Sequence, residues 1–191
     1  MKAIIKPLLF IAVLLTIISA SCKKDSTPGD GLPPLTFEGK NTIGCKINGV
    51  AWVPKGITGP GGITYPTSGG YYGVFNSPLV HIWIKTNDPG GHIDLYVRNY
   101  NSNNYLQIGR YSCNRNTSSL PFGSGEHHTY GTYWVNGKEY ITDDLHSGYI
   151  EILKSDSINK IISGRFEFDA YNSTDNKTYK ITDGRFDYKN H

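Results

Sequence analysis

Methionine, tryptophan and cysteine are scarce in this 191-residue chain, which holds one Met (the initiator), three Trp and three Cys. So few cysteines exclude a small fold held together by a dense disulfide framework. Charge is scarce as well: only 18% of residues are Asp, Glu, Lys or Arg, and the formal net charge is +3. That balance lacks the electrostatic footprint of a nucleic-acid-binding domain, and no nucleic-acid partner is expected. After residue 21 no segment keeps a 3.6-residue apolar period over three turns, which excludes amphipathic helices as the building blocks. There is no Gly-x-Ser-x-Gly elbow either, since Gly123-Ser124-Gly125 has the wrong frame.

What is abundant points to strands and turns. The chain has 14 Tyr, 22 Gly and 10 Pro, with many Asn, Ser and Thr. Tyr, Thr, Ile and Val suit a pleated, half-buried surface, while Gly, Asn and Pro punctuate turns. The expected class is all-β, with about ten antiparallel strands. That is too many for one flat sheet, so a β-sandwich or flattened β-barrel is expected.

The N-terminus reads differently. Lys2 and Lys6 bracket a basic start, Leu8 to Ile18 form an apolar stretch of 11 residues, and Ser19-Ala20-Ser21 lead into Cys22. This is the layout of a secretory signal peptide, too short for a permanent membrane span. With a cysteine directly after the small residues, it resembles a bacterial lipoprotein signal. The resemblance implies that the Cys22 thiol is lipidated and heads the mature chain, with palmitate among its acyl groups. The expected organisation is a signal peptide over 1–21, a lipidated Cys22 with a flexible tether to residue 41, and one β-rich domain over 42–191. Removing Lys2 and Lys6 leaves 17 basic against 16 acidic residues. Lys23 follows the cysteine where Asp would resemble an inner-membrane retention signal. The expected location is therefore an outer-membrane lipid anchor, on its periplasmic or cell-surface face. With Cys22 spent on lipid, Cys45 and Cys113 could form a disulfide or lie buried as separate thiols.

Hairpins follow from the turn residues. Asn48-Gly49 suits a two-residue type I′ turn that sets Ile47 against Val50 and Cys45 against Trp52, with Ile43, Cys45, Ile47, Val50 and Trp52 on the core side. Asn136-Gly137 repeats the device and places Tyr133 across from Tyr140. Leu79–Lys85 and His92–Arg98 pair with Lys85 facing His92, which gathers the apolar residues on one side. The other side then carries His81, Trp83, Lys85, Asp94, Tyr96 and Arg98. In the last hairpin Phe168 meets Ile181 and Asp169 meets Lys180. A change of inward parity there predicts a bulge at Asp183-Gly184.

The segments Ile162-Ser-Gly-Arg-Phe-Glu-Phe168 and Ile181-Thr-Asp-Gly-Arg-Phe-Asp187, with Thr42 to Gly49 and Trp52, carry a resemblance. Over roughly residues 36–189 the chain resembles a family of small Bacteroidetes-type lipoproteins carried as a domain of unknown function. The resemblance implies a secreted β-rich domain and supplies no catalytic residues.

Candidate chemistry is thin. Glu126-His127-His128 is the densest ligand cluster, but adjacent strand residues point to opposite faces, and His81, His92 and His146 lack metal-type spacing to it. Asp143-Asp144, Asp94 and Glu151 could supply an acid and a base for glycoside hydrolysis, although no spacing singles out a pair. Asn87-Asp88 and Asp175-Asn176 read as turns, not calcium loops. No cofactor, metal or catalytic residue is therefore expected. The best hint is the aromatic face, where Trp83 and Tyr96 could stack on sugar rings while His81, Asp94 and Arg98 bind hydroxyls. The expected function is a non-enzymatic, lipid-anchored module binding a glycan or an envelope protein. An envelope hydrolase and a purely structural envelope component are the alternatives. Radiolabelled palmitate is expected to enter the wild-type protein and to be absent from Cys22→Ala; label persisting in the variant would overturn the anchor.

Overall fold

Asparagine followed by glycine reverses a strand because both residues tolerate a left-handed backbone. Asn48 and Gly49 have φ of 50° and 83°, and Asn136 and Gly137 have 52° and 72°. Cys45 faces Trp52 across the first turn and Tyr133 faces Tyr140 across the second, as anticipated. These turns belong to a computed structural model that describes residues 29–58, 64–65, 67–73, 79–86, 90–100, 106–113 and 129–189.

The described strands are β1 (Thr42–Ile47), β2 (Val50–Trp52), β3 (Ile57–Thr58), β4 (Thr64–Tyr65), β5 (Thr67–Gly73), β6 (Leu79–Thr86), β7 (His92–Tyr100), β8 (Gly109–Cys113), β9 (Thr129–Val135), β10 (Lys138–Ile141), β11 (Gly148–Asp156), β12 (Ile161–Asn172) and β13 (Lys177–Lys189). Among the described residues there is no helix, and every paired strand is antiparallel. Eleven strands form one sheet in the order β2-β1-β13-β12-β10-β9-β7-β6-β5, and β11 and β8 branch from β12. β3 and β4 pair separately. The fork arises because β12 is long: Ile161 to Phe168 pair with β11, while Tyr171 pairs with Ile141 of β10. Ile93, Leu95 and Val97 of one arm share a core with Ile150, Ile152 and Phe166 of the other. The two layers are thus arms of one unclosed sheet folded over its own apolar face.

The β12–β13 hairpin orders this arrangement. Phe168 pairs with Ile181 and Asp169 with Lys180, and Phe166 pairs with Gly184, so Thr182 and Asp183 oppose the single Glu167. Asp183 has φ of 54°. The anticipated bulge is present one residue earlier than Asp183-Gly184, at Thr182-Asp183, and it restores Phe186 and Tyr188 to the core while Arg185 and Asp187 take the opposite face. Two glycines make room for rings across the pair. A Cβ on Gly184 would lie 2.6 Å from the Phe166 ring, and one on Gly164 would lie 2.8 Å from the Phe186 ring.

Four expectations change or are narrowed. First, Lys85 pairs with Asp94 and not with His92, so the β6–β7 register lies two residues from the one anticipated. A two-residue slip keeps every side chain on its own face, so the apolar pattern could not exclude it. Second, Val50 is 71% exposed despite its place beside the core-side residues. β2 lies at the sheet edge, and only Ile47 and Trp52 of that hairpin's outer end pack against the core. Third, Cys45 and Cys113 are both free and fully buried, so the disulfide that the sequence allowed is not formed. Burial raises both thiol pKa values above the ordinary range, which leaves them as small, chemically quiet core residues.

Fourth, the tether expected over residues 22–41 is docked from Asp30 onward. Asp187 accepts hydrogen bonds from Thr36 Oγ1 at 2.5 Å, from the backbone N–H groups of Glu38, Gly39 and Lys40 at 3.1, 2.8 and 3.1 Å, and from Ser163 Oγ at 2.7 Å. Asp30 pairs with Arg185, and Pro33 packs over Gly44, where a Cβ would lie 2.6 Å from the proline ring. This strap covers Asp187 completely. Burial alone would raise its pKa, but the hydroxyls of Thr36 and Ser163 and the Lys40 and Gly39 N–H groups outweigh that and hold it below the usual carboxylate range. A depressed native pKa means the carboxylate's contribution is complete above the unfolded value of about 3.9 and is lost as pH falls through the native value. Asp187→Asn is expected to destabilise the fold by roughly 2–4 kcal/mol and to flatten the acid limb of its pH–stability curve. Urea melts between pH 2 and 7 check both effects.

Candidate binding site

Strand alternation sends Ile93, Leu95 and Val97 of β7 into the core and His92, Asp94 and Tyr96 to the other face. On β9 the same rule directs Tyr130, Thr132 and Trp134 to that face, and the β7–β9 register sets His92 against Trp134, Asp94 against Thr132 and Tyr96 against Tyr130. The rings stack across the strands. His92 and Trp134 have centroids 5.5 Å apart at 13°, and Tyr96 and Tyr130 lie 4.8 Å apart at 21°.

Between the two stacks stand Asp94 and Thr132. Thr132 is buried beside Ile141, and Asp94 has an exposed side-chain fraction of 16%, with His92 Nε2 3.9 Å from its Oδ2. Glu139 extends the row beyond Trp134, and burial raises its carboxyl pKa. Next to His92 and Trp134 a cleft of about 320 Å³ opens, floored by the Gly90-Gly91 and Asn136-Gly137 turns. The arrangement sets two ring stacks on either side of a partly exposed carboxylate, with the Thr132 hydroxyl buried beneath.

The β6–β7 register brings the anticipated residues opposite one another and beside this row. Trp83 is opposite Tyr96, His81 opposite Arg98, and Lys85 opposite Asp94. The side chains of His81, Trp83 and Arg98 lie outside the described residues. Tyr130, Thr132, Trp134 and His92 were missed as site residues. Their own alternation along β9 and β7 was visible, but the pairing that joins those strands is not local in sequence.

Other candidates separate. His146 Nδ1–H donates to the Asp143 carboxylate at 2.8 Å, and the ring stacks on Tyr171 at 4.2 Å. Asp143 also accepts from the Leu145 and His146 N–H groups. Burial opposes its ionisation, yet these bonds lower its pKa overall. Asp175 holds Lys138 and Tyr140 at 2.9 and 2.7 Å. Glu126, His127, His128, Asn87, Asp88 and Gly123 to Gly125 lie outside the described residues. Among the described residues no three His, Cys, Asp or Glu side chains gather as a metal site.

A second concavity, about 300 Å³, lies on the outward face of the other arm. Here the ladder lines up Arg110 (β8), Glu151 (β11), Arg165 (β12) and Arg185 (β13), with Tyr149 and Glu167 as the adjacent pair. The Arg110 guanidinium sits 3.9 Å above the Tyr149 ring and 3.6 Å from Glu151, and Asp30 of the strap forms one wall. Of these residues only Glu151 stood out in the sequence.

Residues 80–188 match a family described as a domain of unknown function (DUF6252). The match begins well after residue 36, so Thr42 to Gly49 and Trp52 lie before it. It spans β6 to β13 and hence both the aromatic face and the charged groove, apart from the strap. No curated protein and no solved structure matches the chain. Desolvation, then Tyr96, Asp94 and Glu139, push the Tyr130 phenol up to about 12, and Tyr140 is pushed as high by its bond to Asp175 and by burial. Late-titrating phenols, Tyr130 and Tyr140 among them, are therefore expected in an alkaline absorbance titration, with Tyr130→Phe removing one.

Proposed function

We propose that this chain, which belongs to the DUF6252 family of domains of unknown function, is a non-enzymatic, lipid-anchored module that binds a glycan at the outer membrane. The observation that carries the binding reading is the pair of ring stacks flanking Asp94. Sugar rings have apolar C–H faces that pack on aromatic planes, and their hydroxyls need nearby acceptors; the partly exposed Asp94 carboxylate supplies one, and Trp83 stands opposite Tyr96. The anchor rests on the signal-like segment ending in Cys22, and the outer-membrane address on Lys23. Palmitate at Cys22 is part of the same reading.

The carboxylates anticipated for a hydrolase do not pair with one another, since Asp94, Asp143 and Glu151 stand on the aromatic face, in a turn and in the charged groove respectively. Glu151 shares its groove with Glu167, so the binding reading rests on the ring stacks and not on an absence of neighbouring carboxylates. Paired catalytic carboxylates must flank one bond. Protein beginning at residue 23 and probed on a glycan array is expected to retain a defined set of sugars. Trp83→Ala, Tyr96→Ala and Tyr130→Ala should each weaken retention tenfold or more. Parent-like retention by all three variants, or none by the parent, would sink the glycan reading.

A further inference from the structure

An edge strand that exposes apolar side chains invites another surface to cover it, and β2 is such a strand. It ends the sheet order, and Val50, Ala51 and Val53, in it and just after it, are all exposed. The strap enlarges this patch. Gly31 lies against Ala51, Pro33 and Val53 meet over Gly44, and the exposed Pro34 follows. Leu145 and Ile158 are more exposed still, but each stands alone between polar sequence neighbours, as single surface apolar residues commonly do. Charges near the patch are already matched: Asp30 is held by Arg185, and Asp183 by Lys46, the ladder partner of Ala51. Carboxylates paired in this way oppose a phosphate-bearing surface less than bare ones would.

The strap also decides where the chain leaves the domain. A tether free to residue 41 would put nineteen residue steps between Cys22 and the first fixed residue. Docking moves that fixed point to Asp30, beside β2, and leaves eight steps. Fully extended, eight steps reach about 28 Å at most. A compact domain of this size is about 40 Å across, so its side opposite Asp30 cannot touch a bilayer that holds Cys22. The β2 side can.

We propose that β2, Val53 and the start of the strap rest on the lipid headgroup region of the membrane that carries the anchor. This rests on the reading of Cys22 as lipidated, and it adds which side of the domain meets the bilayer. The anchor keeps the patch at high local concentration against the surface, and the patch in turn reinforces the anchor.

Chemical coupling supplies the anchor whatever happens to Cys22 in cells. Cys45 and Cys113 are fully buried, so a maleimide lipid is directed to Cys22 of the chain beginning at that residue. The vesicles are phosphatidylethanolamine with phosphatidylglycerol, and amide hydrogen exchange is compared between coupled and uncoupled protein. Exchange over residues 30–34 and 49–53 is expected to slow at least threefold on coupling, with residues 143–147 and 157–160 unchanged. Val50→Asp, at a position 71% exposed and with folding checked by circular dichroism, should remove most of the slowing. Equal rates over 49–53 with and without coupling would overturn the proposal. So would slowing as large over 143–147, or slowing undiminished by Val50→Asp. The same slowing in uncoupled protein as its concentration rises would overturn it in favour of a second copy as the occupant. Failure of the anchor reading shows separately, as missing palmitate on the wild-type protein.

Discussion

The extra residue at Thr182-Asp183 governs more of this molecule than any other single feature. Two residues of β13 oppose one of β12 there, and the inward set of β13 changes parity as it passes. Before the bulge Tyr179 and Ile181 face the core; after it Phe186 and Tyr188 do, and Arg185 and Asp187 face away. Without that switch the two polar side chains would be driven into the apolar interior and the phenylalanine out of it. The reciprocal glycine–phenylalanine contacts of Gly164 and Gly184 work only in the same register.

The strap depends on this switch. Asp187, turned away from the core, would be an exposed carboxylate on a sheet face. Five donors from the strap and Ser163 surround it, and they compensate the burial that the strap imposes. The strap therefore belongs to the folded domain, and its docking leaves the remainder of the face as a groove with Asp30 in its wall. The two outward surfaces then differ in character. One arm carries stacked rings around a single carboxylate, and the other carries alternating guanidinium and carboxylate groups. Stacked rings suit ligands with flat apolar faces; alternating charges suit ligands with fixed, directional polar groups.

What could be read in advance was local. The Asn-Gly turns need only two residues with positive φ, so the pairings Cys45–Trp52 and Tyr133–Tyr140 were visible at once. The bulge was visible because it breaks a period within one strand. The strap was not. Its Pro, Gly and polar residues have the composition of a linker, and Thr36 finds its acceptor 151 positions away. The aromatic site was half legible. Asp94 and Tyr96 stand out along β7, but Tyr130 and Trp134 join them only through the β7–β9 ladder.

The sequence by itself determined the all-β class, the hairpin turns, the inward and outward faces of most strands, and the signal-like segment ending in Cys22. These follow from backbone preferences and side-chain periodicity acting over a few residues. Only the tertiary structure decided which hairpins adjoin, the true β6–β7 register, the free state of Cys45 and Cys113, the docking of residues 30–41, and the meeting of Arg110, Glu151, Arg165 and Arg185 in one row. Each of these depends on pairing between distant segments. A period of two residues states which way a side chain points, and it is silent on which strand lies beside it.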